Sequence, residues 1–375
     1  MREVVVIGAG IHRYGVFPEK SISDMGAHAI SKALEDAGMK WEDIETAFCG
    51  TTQPGWSTGH LVCGKMGLTG LGIMNIENAS ASGSSAFREA YLTVASGAHD
   101  IAMAFGVDKI PTPSKSKTDG EKPKAAGKAG DKSFASPVQI FADITRRYME
   151  SYGTTMDQLA GVSVKNHYNG SLNPHAHFQD AVTLEEVHQA RMIADPLTRL
   201  HCCPWGDGAA AVIVCTKEKA AAVTDKVCPV IAASVLKSTL PDDDPLFSLT
   251  QLCAQISYEK AGVGPEDLDL IELHDAFTIE ELIYAEALGL CPRGEGGRLV
   301  EEGVTTLTGK HPINSSGGLL AMGHPLGPTG VGQVAEILWQ MRGECGKRQI
   351  VKPVNLAMAH MVGAGGVCVI HLLKK

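Results

Sequence analysis

A weak internal repeat is the feature of this 375-residue sequence that most constrains its fold. The segment EDAGMKWEDI at 35–44 matches EKAGVGPEDL at 259–268. Each copy has an Ala-Gly pair typical of a helix end, and then a Glu-Asp pair ahead of an apolar strand. Further along, IAMA at 101–104 matches LAMA at 356–359. Two matched stretches in the same order predict a chain built from two similar α/β units.

The two halves predicted from the repeat span residues 1–225 and 226–375. Each alternates strands with helices, an order typical of sheets covered by helices. The first half carries a long insertion, at about 109–200. Its beginning, 109–132, has seven lysines and three acidic residues among Pro, Gly, Ala and Ser, which predicts a surface loop. The loop is either a tether without a ligand or an electrostatic arm for a phosphorylated ligand.

Composition and charge argue against several classes of function. The net charge of −9 argues against nucleic acid as the main partner. The first apolar run, Val4–Ile7, is far shorter than the roughly 20 residues of a membrane span, and a buried strand is predicted there. The ten cysteines include no C-x-x-C pair, which argues against a zinc site in this chain and predicts a reduced, cytoplasmic protein.

The first motif with chemical potential is the turn NASASGSS at 78–85, which precedes a predicted helical run at 86–95. A hydroxyl in such a turn meets the free N–H groups and the positive end of a helix dipole. That environment suits an activated nucleophile or an oxyanion. The same sequence is also typical of an ordinary serine cap on a helix. The segment alone leaves both interpretations open.

Two histidine motifs lie in the second half. His274 follows the predicted strand 270–273, at the end of a sheet where α/β proteins often bind ligands. His324 lies in a Gly-His-Pro turn ahead of a helix predicted at 330–341. A histidine on a rigid turn can act as a base or as a donor to an oxyanion. A core or capping histidine is the alternative at each position.

Together these motifs resemble the thiolase superfamily over essentially the whole chain. The most specific is the pattern SGGxxxxGHPxGxTG at 316–330. HDAF at 274–277 is similar to the sterol-carrier-type and archaeal-type branches, and MVGAGG at 361–366 is similar to the last glycine-rich loop of the family. The resemblance implies an α/β protein with the thiolase fold, in which two similar halves form five layers in the order α/β/α/β/α.

The resemblance also implies a reaction and the residues that perform it. A thiolase makes or breaks the Cα–Cβ bond of a 3-oxoacyl-CoA through an acyl-enzyme, with coenzyme A as substrate and no covalently bound cofactor or metal. Ser80 falls on the acyl-accepting cysteine, and His324 falls on the histidine that activates it. His274 falls on the group that completes one oxyanion hole. Gly363 falls on the glycine whose N–H contributes to the second.

The predicted contacts with coenzyme A lie on two segments. Asn314, Ser316 and Gly317 belong to the turn ahead of the Gly-His-Pro motif. Lysines of the insertion would place positive charge near the phosphates of coenzyme A: Lys115, Lys117, Lys122 and Lys124.

The sequence departs from the thiolase pattern at two kinds of position. Serine stands at 80, where thiolases usually have cysteine. Met361 and Ala276 stand at the two places where a thiolase carries an acid/base cysteine. Because a serine hydroxyl ionises far less readily than a thiol, either His324 drives Ser80 as a base or the chemistry avoids a covalent acyl-enzyme.

Three functions therefore stay open. The first is a thiolytic or condensing acyltransferase acting on a branched or aromatic substrate such as benzoylsuccinyl-CoA. The second is a retro-aldolase that cleaves a CoA ester without an acyl-enzyme, and the third is a non-catalytic thiolase-like subunit. The two retained histidines favour the first. The resemblance further implies a homodimer joined by a small partner that carries a zinc ribbon and an OB-fold.

Overall fold

A computed structural model describes residues 2–53, 57–110, 136–239, 244–364 and 366–375. Within them the strands are β1 (Val4–Gly15), β2 (Thr46–Gly50), β3 (Gly72–Ile76), β4 (Ile101–Asp108), β5 (Met192–Ala194), β6 (Leu197–Thr198), β7 (Asp207–Thr216), β8 (Val230–Ser238), β9 (Leu270–Glu272), β10 (Leu356–Gly363) and β11 (Val367–Lys374). The α-helices are α1 (Ile22–Ala37), α2 (Thr58–Met66), α3 (Ser82–Ser96), α4 (Pro137–Tyr152), α5 (Met156–Ser171), α6 (Leu184–Gln189), α7 (Lys217–Val223), α8 (Pro245–Ala261), α9 (Thr278–Ala287), α10 (Gly296–Glu301), α11 (Gly318–Met322) and α12 (Thr329–Arg342). None of these helices is both long and apolar enough to cross a lipid bilayer.

Nine of the described strands form one mixed sheet, in the order β3-β2-β4-β7-β1-β8-β11-β10-β9. The strands from β3 to β1 come from the first half, and those from β8 to β9 come from the second. β1 meets β8 through the antiparallel pair Val5 and Val230, so the sheet continues across the junction between the halves. β5 and β6 form a separate two-stranded sheet inside the insertion.

The helices form three layers, and the two halves of the sheet form the two strand layers between them. α1 packs against β1 and β7 on the outer face of the first half, and α8 packs against β8 and β11 on the outer face of the second. α3 and α12 lie between the halves. α3 contacts β2 and β4 as well as β8 and β11, and α12 contacts β1 and β7 as well as β10. The layers therefore follow the predicted order α/β/α/β/α.

The matched stretches of the repeat adopt the same structure in the two halves. α1 and α8 each end at a glycine with a left-handed backbone, with φ of 68° at Gly38 and 66° at Gly262. Each glycine is followed by a single turn of 3₁₀ helix and then by β2 or β9. The strands that carry IAMA and LAMA, β4 and β10, pair in parallel with β2 and β9. The repeat is therefore a structural repeat, because residues that fix the helix ends recur with the strands.

The described part of the insertion folds onto the second half. α5 packs against α9, α10 and α11. Lys165 of α5 is buried, and its ammonium donates to Glu281 Oε2 at 3.1 Å and to the Ile313 carbonyl at 2.8 Å. A buried ammonium needs such partners, so this contact fixes α5 in place beside the turn that carries His274.

Candidate active site

Ser80 lies on a tight turn between β3 and α3. Ala79, just before it, has φ of 50°, in the left-handed region that non-glycine residues seldom occupy and that is often found at functional sites. The Asn78 N–H donates to Ser82 Oγ at 2.9 Å, and the Ser82 hydroxyl donates to the Ala79 carbonyl at 2.6 Å. The N-cap of α3 is Ala81. Ser80 is therefore not the helix cap, and its hydroxyl bonds outside the turn.

The partner of Ser80 is His324. Ser80 Oγ lies 2.9 Å from Nε2 of the imidazole, and Nδ1 of the same ring lies 2.9 Å from Thr329 Oγ1. Both partners are hydroxyls, which can donate or accept, so these contacts allow either tautomer. Burial, reinforced by the neighbouring His274, holds the pKa of His324 well below its usual range. The ring is therefore neutral near pH 7.

Glycines bring the two turns together, because they let backbone contact backbone. We call residues 323–330 the GHP turn. A Cβ on Gly83 of α3 would lie 2.2 Å from the carbonyl oxygen of Gly327, and a Cβ on Gly330 would lie 2.1 Å from Ser84 Oγ. No larger residue fits at either position unless the GHP turn moves away from α3. Ser80 and His324 meet because of these contacts.

Asp108, at the end of β4, fixes the GHP turn from the first half. Its buried carboxylate accepts hydrogen bonds from the Gly327 N–H at 2.7 Å, the Thr52 N–H at 2.9 Å and the Thr51 hydroxyl at 2.9 Å. This residue is not among the site residues predicted from the sequence. The signal that could have revealed it is a carboxylate at the end of an otherwise apolar strand, where the side chain reaches the ligand-binding edge of the sheet.

His274 lies on the turn between β9 and α9, beside His324. The two ring centroids are 5.5 Å apart, and the ring planes are at 80°. Nδ1 of His274 lies 3.2 Å from Glu280 Oε1, and the same carboxylate accepts from the Phe277 N–H at 2.9 Å and the Tyr284 hydroxyl at 3.0 Å. Nε2 is buried and has no hydrogen-bond partner within the described ranges. The ring thus has a carboxylate on one side and an unused nitrogen on the other.

Gly363, at the end of β10, lies against the turn that carries Ser80. A Cβ on Gly363 would lie 2.3 Å from the carbonyl oxygen of Asn78. Met361, on the same strand, packs against Ala81 in a small apolar cluster. The structure thus brings the last glycine-rich loop to the turn of Ser80. The role of the Gly363 N–H in an oxyanion hole stays a prediction.

The polar residues predicted to contact coenzyme A have partners inside the protein. Asn314 Oδ1 accepts from the Leu273 N–H at 2.7 Å, and the Ser316 hydroxyl donates to Glu272 Oε2 at 2.5 Å. Gly317 has φ of 105°, and a Cβ there would clash with the backbone of α5. Through these contacts within the protein, the three residues support the turn that carries His274. Their contact with coenzyme A stays a prediction.

Four further predicted contacts lie outside the described residues: Lys115, Lys117, Lys122 and Lys124. Across the ranges that the structure does describe, no group of three or more His, Cys, Asp and Glu side chains is arranged to hold a metal ion. The expectation that the site works without a metal stays a prediction.

Two family models match the chain. The model described as "Thiolase, N-terminal domain" matches residues 4–218, and the one described as "Thiolase C-terminal domain-like" matches residues 234–372. The chain belongs to the thiolase family. This finding confirms the resemblance, the predicted fold and the prediction of a thiolase-like acyltransferase.

Curated relatives of this thiolase match it over nearly all of its length. The acetyl-CoA acetyltransferase of Methanothermobacter thermautotrophicus is 39% identical, and the match covers 100% of both chains. Benzoylsuccinyl-CoA thiolase subunit BbsB of Thauera aromatica is 34% identical over 97% of this chain and 95% of the relative. Sterol carrier protein 2 of Homo sapiens is 35% identical over 100% of this chain and 72% of the relative.

Among solved structures, this thiolase is similar to the Ltp2-ChsH2(DUF35) aldolase, with a TM-score of 0.83 and 22% sequence identity. The match covers 99% of this chain and 98% of the other. At that level of identity the likeness supports the fold.

Two cysteines lie beside the HDAF motif of this thiolase: Cys202, which pairs with Phe277 in an isolated β-bridge, and Cys203. The Cys203 N–H donates to the Ala276 carbonyl at 2.8 Å. Burial, and then the carboxylates of Glu280 and Asp275, raise the pKa of the Cys203 thiol well above its usual range. A thiolate is therefore disfavoured at this position.

Proposed function

We propose that this thiolase makes or cleaves the Cα–Cβ bond of a 3-oxoacyl-CoA, with Ser80 as the acyl acceptor. The observation that carries the proposal is the 2.9 Å contact between Ser80 Oγ and His324 Nε2, which joins two motifs 244 residues apart. A hydroxyl within hydrogen-bond reach of an imidazole is the arrangement that nucleophilic catalysis requires.

In the cleavage direction, Ser80 Oγ adds to the Cβ carbonyl carbon while its proton passes to His324. The Cα–Cβ bond then breaks, the acyl group stays on Ser80 as an ester, and Cα departs as the enolate of a shorter acyl-CoA that takes up a proton. The thiol of coenzyme A attacks the ester, its proton passes to the group that protonated the enolate, and His324 returns its proton to Ser80 Oγ. His274 and the Gly363 N–H are the proposed donors to the developing oxyanions.

The surroundings of His324 support a second candidate, retro-aldol cleavage of a CoA ester. Thr329 orients the imidazole with a neutral hydroxyl, which stabilises an imidazolium less than the carboxylate of a Ser-His-Asp triad does. His324 is therefore a weak base for Ser80. In the retro-aldol route the acyl group never leaves coenzyme A, and Ser80 contributes only a hydrogen bond.

For the substrate, we propose a branched or aromatic 3-oxoacyl-CoA, of which benzoylsuccinyl-CoA is one example. The proposal is supported by the 34% identity to benzoylsuccinyl-CoA thiolase subunit BbsB. We infer a reduced, cytoplasmic setting from the ten cysteines, all of which lie in described residues and are free.

For the assembly, we propose a homodimer that forms through β3 and is joined by a small zinc-ribbon/OB-fold subunit. β3 is an edge strand of the sheet, and apolar side chains on and near it are exposed: Met74 by 55%, Leu61 by 60% and Leu68 by 93%. An unpaired apolar edge strand readily pairs with a second copy, and β3 leads into the turn of Ser80. The additional subunit is supported by the resemblance and by the name of BbsB, which is a thiolase subunit.

The experiment is a turnover screen of the chain co-expressed with the proteins encoded beside it. The complex is incubated with coenzyme A and with acetoacetyl-CoA, branched 3-oxoacyl-CoA and benzoylsuccinyl-CoA, and separately with the corresponding 3-hydroxyacyl-CoA esters, which are the substrates for retro-aldol cleavage. Products are followed by mass spectrometry. Thiolysis consumes free coenzyme A and gives two acyl-CoA products. Retro-aldol cleavage gives one acyl-CoA and a free carbonyl compound without consuming coenzyme A. Absence of both reactions would indicate the non-catalytic subunit and contradict the proposal.

A further inference from the structure

The proposed reaction needs a group that moves a proton at Cα, and the usual cysteines are absent. Condensation removes a proton from Cα of an acyl-CoA, and cleavage returns one to the enolate. Met361 and Ala276 stand at the two cysteine positions, and neither side chain can carry a proton. The Cα proton therefore has to move through a different group.

The titratable side chains beside Ser80 and the HDAF motif include His324, Cys203 and His274. Both nitrogens of His324 already have hydroxyl partners. The thiol of Cys203 has a pKa well above its usual range, because it is buried beside carboxylates. His274 alone of the three has a buried ring nitrogen, Nε2, without a hydrogen-bond partner among the described residues. The residue His274 is only 5% exposed, and its ring lies next to the ring of His324.

We propose that His274 is the acid/base that moves the Cα proton, and that Glu280 is a positioning residue that sets its tautomer. The inference rests on the proposed function and holds for both cleavage routes. A carboxylate can only accept hydrogen bonds, so the contact of Glu280 with Nδ1 places a proton on Nδ1. Nε2 then presents a lone pair toward the site, as a general base requires.

Glu280 is itself held as an acceptor. The Phe277 N–H can only donate, and it donates to Oε2. Burial and the nearby Glu280 raise the pKa of Tyr284 well above its usual range, so the phenol keeps its proton and donates to Oε1. Both oxygens therefore receive hydrogen bonds from fixed donors, and the carboxylate is oriented before substrate binds.

The proton transfer is balanced on these groups. Nε2 of neutral His274 takes the Cα proton, the electron pair of the C–H bond forms the enolate, and the new imidazolium is paired with Glu280. In cleavage the step runs in reverse: the imidazolium of His274 gives its Nε2 proton to Cα of the enolate and becomes neutral, and the thiol of the incoming coenzyme A then returns a proton to Nε2. While it is protonated, the Nε2–H can donate to the enolate oxygen, which is the role that the resemblance assigned to His274.

The test measures solvent exchange at Cα. Wild-type complex and its variants are incubated in D₂O with acetyl-CoA or propionyl-CoA, and deuterium in the acyl group is measured by mass spectrometry. We expect His274→Gln to lower the exchange rate by roughly 10²–10⁴-fold, as removal of a general base does. Glu280→Gln should lower exchange and kcat by about 10²-fold with little change in KM, because a misplaced base costs rate rather than binding.

Two further variants separate positioning from folding. Glu280→Asp keeps a carboxylate and should retain more exchange than Glu280→Gln, which a purely structural role would not require. Cys203→Ala is the matched control and should exchange within a few-fold of the wild type. Thermal unfolding of each variant shows whether it is folded.

Several outcomes would overturn the proposal. Exchange by folded His274→Gln at the wild-type rate would exclude His274, and exchange lost only in Cys203→Ala or His324→Ala would assign the proton to another group. A wild-type complex that exchanges neither probe would also overturn it. Because exchange needs no second substrate and no C–C cleavage, it can succeed where the turnover screen fails, and the two failures are distinguishable.

Discussion

The two halves of the molecule repeat one α/β unit, yet they bury different chemistry. The turn before the central helix of the first half carries Ser80, and the turn before the central helix of the second carries His324. Among the described residues, the buried acidic side chains of the first half are Asp108 and Asp207, whereas those of the second are Glu272, Asp275, Glu280, Glu281, Glu286 and Glu336. The half that supplies the Ser80 hydroxyl needs a backbone turn that places it. The half that supplies the histidines also needs buried charges, such as that of Glu280, to orient an imidazole ring.

The same contrast separates the two histidines of the second half. His274 is oriented by the carboxylate of Glu280, and His324 is oriented by the hydroxyl of Thr329. An adjacent carboxylate stabilises an imidazolium, and a hydroxyl does so far less. We therefore expect the carboxylate of Glu280 to assist proton transfer at His274 more than the hydroxyl of Thr329 assists proton transfer from Ser80 to His324.

Removing His324 breaks the contact that joins the halves, so it has the largest expected effect. We expect His324→Ala to lower kcat by roughly 10²–10⁴-fold with the fold intact. Thr329→Val, which removes only the orienting hydroxyl, should lower kcat by about 10-fold. Steady-state kinetics on a substrate found in the screen checks both. Undiminished turnover by His324→Ala would remove this residue from the mechanism.

A smaller effect is expected at Asp108, the acid of the first half that holds the GHP turn of the second. Asp108→Asn replaces an accepting oxygen with an NH₂ group that faces N–H donors, so it should cost about 1–3 kcal/mol of unfolding free energy. Because the GHP turn shifts, kcat should also fall, by about 10-fold. Denaturant unfolding and kinetics measure the two effects.

Asp207→Asn is the matched control for this prediction. Asp207 is also buried at a strand end, and it accepts from the Phe17 N–H at 2.8 Å and the Ile110 N–H at 2.7 Å. It makes no hydrogen bond to the GHP turn among the described contacts. We expect a similar loss of stability with kcat nearly unchanged. Equal losses of kcat in the two variants would show that Asp108 has no special part in holding the turn.

The smallest expected effect concerns the lysines of the insertion. Neutralising Lys115, Lys117, Lys122 and Lys124 together should raise KM for the CoA ester several-fold and flatten its dependence on ionic strength, because exposed charges act through a screened field. The matched control neutralises four exposed lysines outside the insertion: Lys40, Lys217, Lys219 and Lys260. If both sets leave KM unchanged, the loop is a tether without a ligand.

Much of the fold could be predicted from the sequence, because the signals that set it are local. The Ala-Gly helix ends and the apolar strands recur in both halves, and they predict the repeated unit. The junction between the halves could not be predicted in this way, since the pairing of Val5 with Val230 depends on tertiary contact. The same holds for the contact between Ser80 and His324.

The site was predicted in part. The glycines and histidines of the motifs are visible in the sequence, but the partners that orient the histidines lie on other turns or strands. Glu280 and Asp108 were missed for this reason. Asn314 and Ser316 show the converse problem, because polar residues in a glycine-rich turn suggest a ligand, whereas their hydrogen bonds in the structure go to the protein itself.

The central claim, that Ser80 accepts the acyl group, is tested most directly by trapping the ester. The complex is quenched with acid during turnover and digested, and the peptide that contains Asn78 to Arg88 is weighed by mass spectrometry. We predict the acyl mass on this peptide, loss of cleavage in Ser80→Ala, and retained or higher cleavage in Ser80→Cys, because a thiolate is the better nucleophile. An active Ser80→Ala enzyme with no acyl adduct in the wild type would contradict the claim and indicate the retro-aldol route.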